Sequence, residues 1–121
     1  MRHQESNPDV EQLSLPDVLA ALSDPLRIGL VRLLADGEER YFGEFTAPVA
    51  KSTLSHHLKV LNAAGVTWRR EEGTRCYIRL RREDLDARFP HLLDTVLAAA
   101  EGDDVGHHVT TCVRRVGEPG S

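Results

Sequence analysis

Two adjacent histidines, His56 and His57, stand in the stretch KSTLSHHLKVL (51–61) among Ser52, Thr53 and Ser55. Imidazoles can hold a metal ion or move a proton, so their spacing decides which chemistry is open to them. Leu54, Leu58 and Leu61 recur at i, i+4 and i+7, the mark of an amphipathic helix with its leucines turned inward. At about 100° per residue, Ser52, Ser55, His56 and Lys59 fall mainly on the opposite side, and His57 falls at the edge of the leucine stripe. Histidines sharing a metal on one helix usually stand at i, i+4, and adjacent ones diverge. No carboxylate stands at helical spacing to orient either ring for proton transfer. Nucleic acid suits this composition better. Short hydroxyls reach base edges or phosphates, imidazole donates or accepts in the major groove, and Lys59 can meet a phosphate. The positive end of the helix dipole adds to that attraction.

The remaining metal-competent atoms are scattered. His3 is third in the chain, where a free amine, amides and an imidazole could chelate a divalent ion. His107, His108 and Cys112 include one i, i+4 pair, His108 and Cys112, which converges only if the tail is helical. Gly106 and the polar run before it point instead to a loose tail. Cys76 lies between Arg75 and Tyr77 in a strand-like stretch, where a packed thiol is the simpler expectation. Two cysteines without a Cys-x-x-Cys pair make no disulfide framework and suit a reducing compartment. The chain shows no Gly-rich phosphate loop, nucleophile elbow or carboxylate pair. Neither catalysis nor a cofactor nor a metal is expected.

The net charge of −4 would argue against a polyanionic partner, yet its distribution is uneven. Residues 51–82 hold Lys51, Lys59, Arg69, Arg70, Arg75, Arg79, Arg81 and Arg82 against Glu71 and Glu72, a net of +6 that leaves −10 for the rest. A basic segment inside an acidic chain is a candidate footprint for phosphates. An adaptor using its surface for protein contacts would suit the acidic remainder but not this segment. No apolar run approaches the roughly 18 residues needed to cross a bilayer, and the polar N-terminus lacks the apolar core of a secretory signal. A cytoplasmic protein without a membrane partner is expected.

The elements that must carry these residues follow from periodicity and punctuation. Residues 1–12 are expected to form a disordered arm, 13–100 one domain, and 101–121 a flexible tail. Leu15, Val18, Leu19 and Leu22 mark one helix, with Pro16 in its first turn; Asp24-Pro25 opens a second, which ends near Asp36-Gly37. Tyr41-Phe42 suggests a brief strand and Gly43–Thr46 a single helical turn, stopped by Pro48. The histidine-bearing helix follows and ends at Ala64-Gly65. Val66 to Leu80 alternates as a β-hairpin with its tip at Glu71-Glu72-Gly73-Thr74. A last helix covers roughly 82–100, bent or truly begun at Pro90. This order, α-α-α-α-β-β-α, is the layout of a winged helix-turn-helix.

The segments ALSDPLRIGLVRLL (21–34), KSTLSHHLKVLNAAGV (51–66) and RREEGTRCYIRL (69–80) resemble, in that order, the ArsR/SmtB family of bacterial repressors. With the connecting pieces the likeness spans about residues 15–98. The resemblance implies a homodimer built from the first and last helices, a recognition helix in the major groove, and a wing on the flanking backbone or minor groove. It implies DNA contacts from Lys51, Ser52, Thr53, Ser55, His56 and Lys59 on the helix, and from Arg70, Thr74 and Arg75 on the wing. Leu15, Val18, Leu19, Leu92, Leu93, Val96 and Leu97 match its dimer-forming surfaces. Two-fold symmetry would then call for an inverted-repeat operator on double-stranded DNA. The family's sensor positions do not match. YFGEFTAP carries no Cys-x-Cys, and His91 has no Asp two residues before it and no following His until His107. The inducer is therefore left open. The alternative is a metal- or redox-responsive repressor using His3 or the His107, His108 and Cys112 tail. FTAPVAKS also looks shortened before the recognition helix, and it contains Pro48.

Overall fold

Residues 7–111 are described by the structure, a computed structural model. Ser14 opens α1 (Leu15–Ala21) by accepting from the Asp17 N–H at 3.2 Å, with Pro16 in the first turn where an amide donor is dispensable. Asp24 does the same for α2 (Pro25–Leu33), accepting from the Leu26 and Arg27 N–H groups at 2.8 and 3.2 Å. Gly37, at φ 82°, turns the chain away. Next come a brief strand β1 (Arg40–Tyr41), one 3-10 turn over Phe42–Glu44, and a second brief strand β2 (Phe45–Thr46). The single helical turn expected over Gly43–Thr46 is thus a 3-10 turn that starts one residue earlier, and Phe45–Thr46 is strand instead.

After Pro48 the chain enters α3 (Lys51–Ala63), and Leu54, Leu58 and Leu61 are buried in the core as their spacing required. Gly65 ends it at φ 86°, where the Val66 N–H closes on the Leu61 carbonyl at 2.9 Å. Strands β3 (Thr67–Glu72) and β4 (Arg75–Leu80) form the antiparallel wing, joined through Gly73-Thr74. The small strand β1 pairs with the far side of β4, giving the order β1-β4-β3. Alternation sends Thr67, Ile78 and Leu80 into the core and leaves Arg70, Arg75 and Arg79 on the outer face. The last helix divides. Pro90 ends α4 (Arg82–Arg88), and His91, at φ 69°, turns the chain into α5 (Leu92–Gly102). The architecture is a winged helix-turn-helix around one leucine-rich core.

The described parts of the two segments expected to be loose, 7–12 of 1–12 and 103–111 of 101–121, lie against this body. Residues 7–13 run along its edge: Val10–Gln12 makes a 3-10 turn, and Leu13 is 2% exposed. Arg88 donates to the Val10 and Leu13 carbonyls at 3.0 and 2.7 Å, and Arg81 donates to the Pro8 carbonyl at 2.6 Å. At the other end, residues 103–111 fold back across α2. Arg32 donates to the Val105 carbonyl, Val109 is buried, and β5 (Thr110–Thr111) pairs antiparallel with β2. Glycine makes this approach possible: a Cβ at Gly29 would stand 2.5 Å from the Gly106 carbonyl oxygen. Neither segment has a periodic apolar pattern, because each contributes only one or two anchors, Leu13 in the first and Val109 in the second.

Candidate nucleic-acid interface

The outer face of α3 is open to solvent. Lys51, Ser52, Thr53, His56 and Lys59 are exposed, and Ser55 is half-buried. Ala50 stands at the N-cap and supplies no side-chain acceptor, so the first amide N–H groups of the helix have no such partner. Donors, hydroxyls and an imidazole therefore share one unobstructed helix face with a positive dipole end.

His57 points elsewhere. Its Nδ1 lies 3.0 Å from Arg27 Nη1, while Arg27 Nε donates to the Ala21 carbonyl at 2.7 Å. Since guanidinium only donates, Nδ1 is the acceptor and the neutral ring carries its proton on Nε2. Desolvation pushes the His57 pKa down; the Asp24 carboxylate raises it, but the Arg27 and His56 charges add to the lowering. Burial pushes Asp24 up, but the N–H groups of Arg27 and Leu26 and the nearby cations outweigh it and hold that carboxyl below its usual value. His57 thus links α3 to the end of α1 and the start of α2. The two imidazole centroids are 5.9 Å apart and their planes are tilted by 58°.

On the wing, Thr74 and Arg75 are exposed near the tip, and the Arg75 guanidinium lies 4.6 Å above the Tyr41 ring. Arg70 is more occupied. Its Nε and Nη2 donate to the two Glu39 oxygens at 3.0 and 2.8 Å, and Nη1 donates to Glu72 at 2.6 Å. Its plane lies 4.5 Å above Tyr77. These bonds raise the Arg70 pKa still further, and Arg70 in turn holds the Glu39 carboxyl below its usual range.

The basic segment does not present one charged face. Arg81 is 2% exposed, stacked 3.8 Å from Trp68 and paired with Asp84 at 2.9 Å. Arg82 donates to Asp94 and to the Ala35 carbonyl at 2.9 and 3.3 Å. Both support the body of the fold. Among the described residues, Lys51, Lys59, Arg75 and Arg79 make no ion pair with a carboxylate within 4.0 Å. Sequence reasoning passed over Arg69, which lines a cleft of about 360 Å³ with Lys59, Asn62 and Ala63, between α3 and β3. The one available signal was Asn62, a polar residue beside the leucine stripe that needs partners once buried. It donates to Asn7 Oδ1 at 2.7 Å and to the Thr67 carbonyl at 3.1 Å.

The residues matched to dimer-forming surfaces separate into two groups. Leu15 and Leu19 are 43% and 45% exposed, and Leu92, Val96 and Leu97 are partly buried against the core. Val18 and Leu93, by contrast, are 1% and 2% exposed and belong to this chain's own core. They fall on the inner side of the stripes that carry their neighbours. His3 and Cys112 lie outside the described residues. His107 and His108 have ring centroids 6.0 Å apart, and His107 Nδ1 contacts the Asp104 carbonyl at 3.2 Å. No group of three metal-competent side chains occurs among the described residues. Burial pushes the Cys76 thiol up, away from the reactive thiolate.

A family model described as a helix-turn-helix domain matches residues 22–67. Over 82 residues the chain is 33% identical to the uncharacterized HTH-type transcriptional regulator YceK of Bacillus subtilis, covering 65% of this chain and 82% of that protein. It is 34% identical over 90 residues to the HTH-type transcriptional regulator Rv0324 of Mycobacterium tuberculosis, of which it spans 40%. A crystal structure of a possible transcriptional regulator for arsenical resistance aligns with a TM-score of 0.52 and 31% identity, over 72% of this chain and 95% of that one.

Proposed function

The chain belongs to the winged helix-turn-helix transcriptional regulators of the ArsR/SmtB type, and from that premise we propose that it is a homodimeric repressor of an inverted-repeat DNA operator. The observation that carries this reading is the outer face of α3, where Lys51, Ser52, Thr53, His56 and Lys59 stand exposed beside an uncapped helix N-terminus. Ser55 and His56 supply sequence readout, and Lys51, Ser52, Thr53 and Lys59 hold the backbone. Thr74, Arg75 and Arg70 of the wing reach the flanking phosphates, and Arg69 faces the cleft beside Lys59. The dimer forms through the exposed Leu15 and Leu19 of α1 with Leu92, Val96 and Leu97 of α5, which are only partly covered by the chain's own core. Two heads related by a two-fold axis then read two half-sites. No helix among the described residues is long and apolar enough to cross a membrane, and the proposed place of action is the cytoplasm.

Selection from a random duplex library with the purified protein tests this directly. An enriched inverted repeat is expected, and His56→Ala should change which bases are enriched. Recovery of no preferred sequence, or an identical preference from His56→Ala, would count against the assignment.

A further inference from the structure

The wing arginine matched to DNA contact is already holding an anion. Glu39 belongs to the loop between α2 and β1, outside the hairpin, yet both its oxygens accept from Arg70, from Nη2 at 2.8 Å and Nε at 3.0 Å. Paired oxygens on that edge of a guanidinium are also how a phosphate diester is gripped. The Tyr77 ring beneath and Glu72 on Nη1 fix the plane of the group, so that its Glu39 edge keeps one direction. Glu72 travels with the hairpin, whereas Glu39 reaches across to it. We infer that Glu39 sets the DNA affinity of the wing: its carboxylate occupies the phosphate-binding edge of Arg70 and has to leave before the backbone can be gripped there. This inference rests on the DNA-binding reading.

Both partners are about half-exposed, with 49% of the Arg70 and 37% of the Glu39 side chain accessible, so the contact is a weak latch that phosphate can displace. Protonation does not open it near neutral pH, because Arg70 holds the Glu39 carboxyl below its usual range. Only a competing anion does. The latch therefore lowers affinity for every duplex and leaves sequence preference to α3.

The test compares binding of wild type and Glu39→Gln to a fluorescent mixed-sequence duplex of about three helical turns across a salt series, since sequence-independent binding is governed by phosphate contacts. The amide keeps the shape and removes the charge. Glu39→Gln should bind about threefold to tenfold tighter at low salt and show a steeper salt slope by about one counterion. Glu38→Gln, which removes an exposed carboxylate that makes no ion pair among the described residues, should change affinity by much less. In an Arg70→Ala background the Glu39→Gln gain should vanish. Unchanged or weaker binding by Glu39→Gln, an equal gain from Glu38→Gln, or a gain that survives Arg70→Ala each overturns the latch. If folded wild type and Glu39→Gln both ignore DNA at low salt, the DNA-binding reading itself falls.

Discussion

Gly29→Ala should destabilise the protein, although helix propensity alone predicts the reverse. Gly29 sits inside α2, and replacing an interior helical glycine by alanine typically gains about 1 kcal/mol. Here the new methyl would stand 2.5 Å from the Gly106 carbonyl oxygen and 2.7 Å from Val109 Cγ2. The first is main chain and cannot swing aside, so residues 103–111 must lift off α2. Lifting exposes Val109, now 3% accessible, at about 1.5–3 kcal/mol. It also breaks the Arg32 bond to the Val105 carbonyl, a bond from a charged donor worth about 1.5 kcal/mol or more. The balance is a loss of about 2 kcal/mol, or about 8 °C in Tm for a chain of this size. Thermal melts combined with amide exchange separate the two steps: the Val109 and Thr111 amides should lose protection even where the rest of the fold persists. Gly102→Ala, where nothing lies within 4 Å of the new Cβ, is the control and should be neutral or slightly stabilising. A Gly29→Ala protein as stable as wild type, with Val109 and Thr111 still protected, would refute the reasoning.

Four other outcomes follow from the same structure. Arg75→Ala should weaken DNA binding uniformly and reduce the salt slope by about 1. Arg81→Ala should instead keep the slope and cost about 3 kcal/mol of stability in urea denaturation, because it strands Asp84 and uncovers Trp68. Leu19→Asp, at an exposed position, should give a folded monomer by light scattering; an unchanged dimer would move the interface elsewhere. The folded state depresses the His57 pKa from 6.5, so the unfolded chain binds the extra proton and stability is lost as pH falls below that value. Urea midpoints measured from neutral to acidic pH should show this loss in wild type and less of it in His57→Gln.

How much of this was visible in the sequence depended on how far each residue's partner lay along the chain. Leu54, Leu58 and Leu61 orient α3 by local spacing alone, and the same spacing separated His56, facing solvent, from His57, facing Arg27. Asp24-Pro25 and Gly73-Thr74 likewise act on their immediate neighbours. Strands β2 and β5 have two residues each and exist only through pairing with each other across the chain, so no periodicity could reveal them, whereas the residue types at Tyr41-Phe42 were enough to suggest β1 to within one residue. Arg81 looked like one more cation in a basic run. Its burial depends on Trp68, Asp84 and Pro8, the last 73 residues away. Arg70 looked available for the same reason, since Glu39 lies 31 residues upstream.

Asn7 offers the clearest instance of a remote partner, and it bears on how two copies can meet. Strand β3 is the outer strand of the sheet, and such a strand ordinarily presents bare amide and carbonyl groups to any passing chain. At Arg69 both are taken: Asn7 Oδ1 accepts from the Arg69 N–H at 2.9 Å, and Asn7 Nδ2 donates to the Arg69 carbonyl at 3.0 Å. A single side-chain amide thus stands in for a neighbouring strand at the middle of that border. Sheets of two molecules are hindered from zipping together along it, which leaves the helical side that carries Leu15 and Leu19 for the proposed dimer.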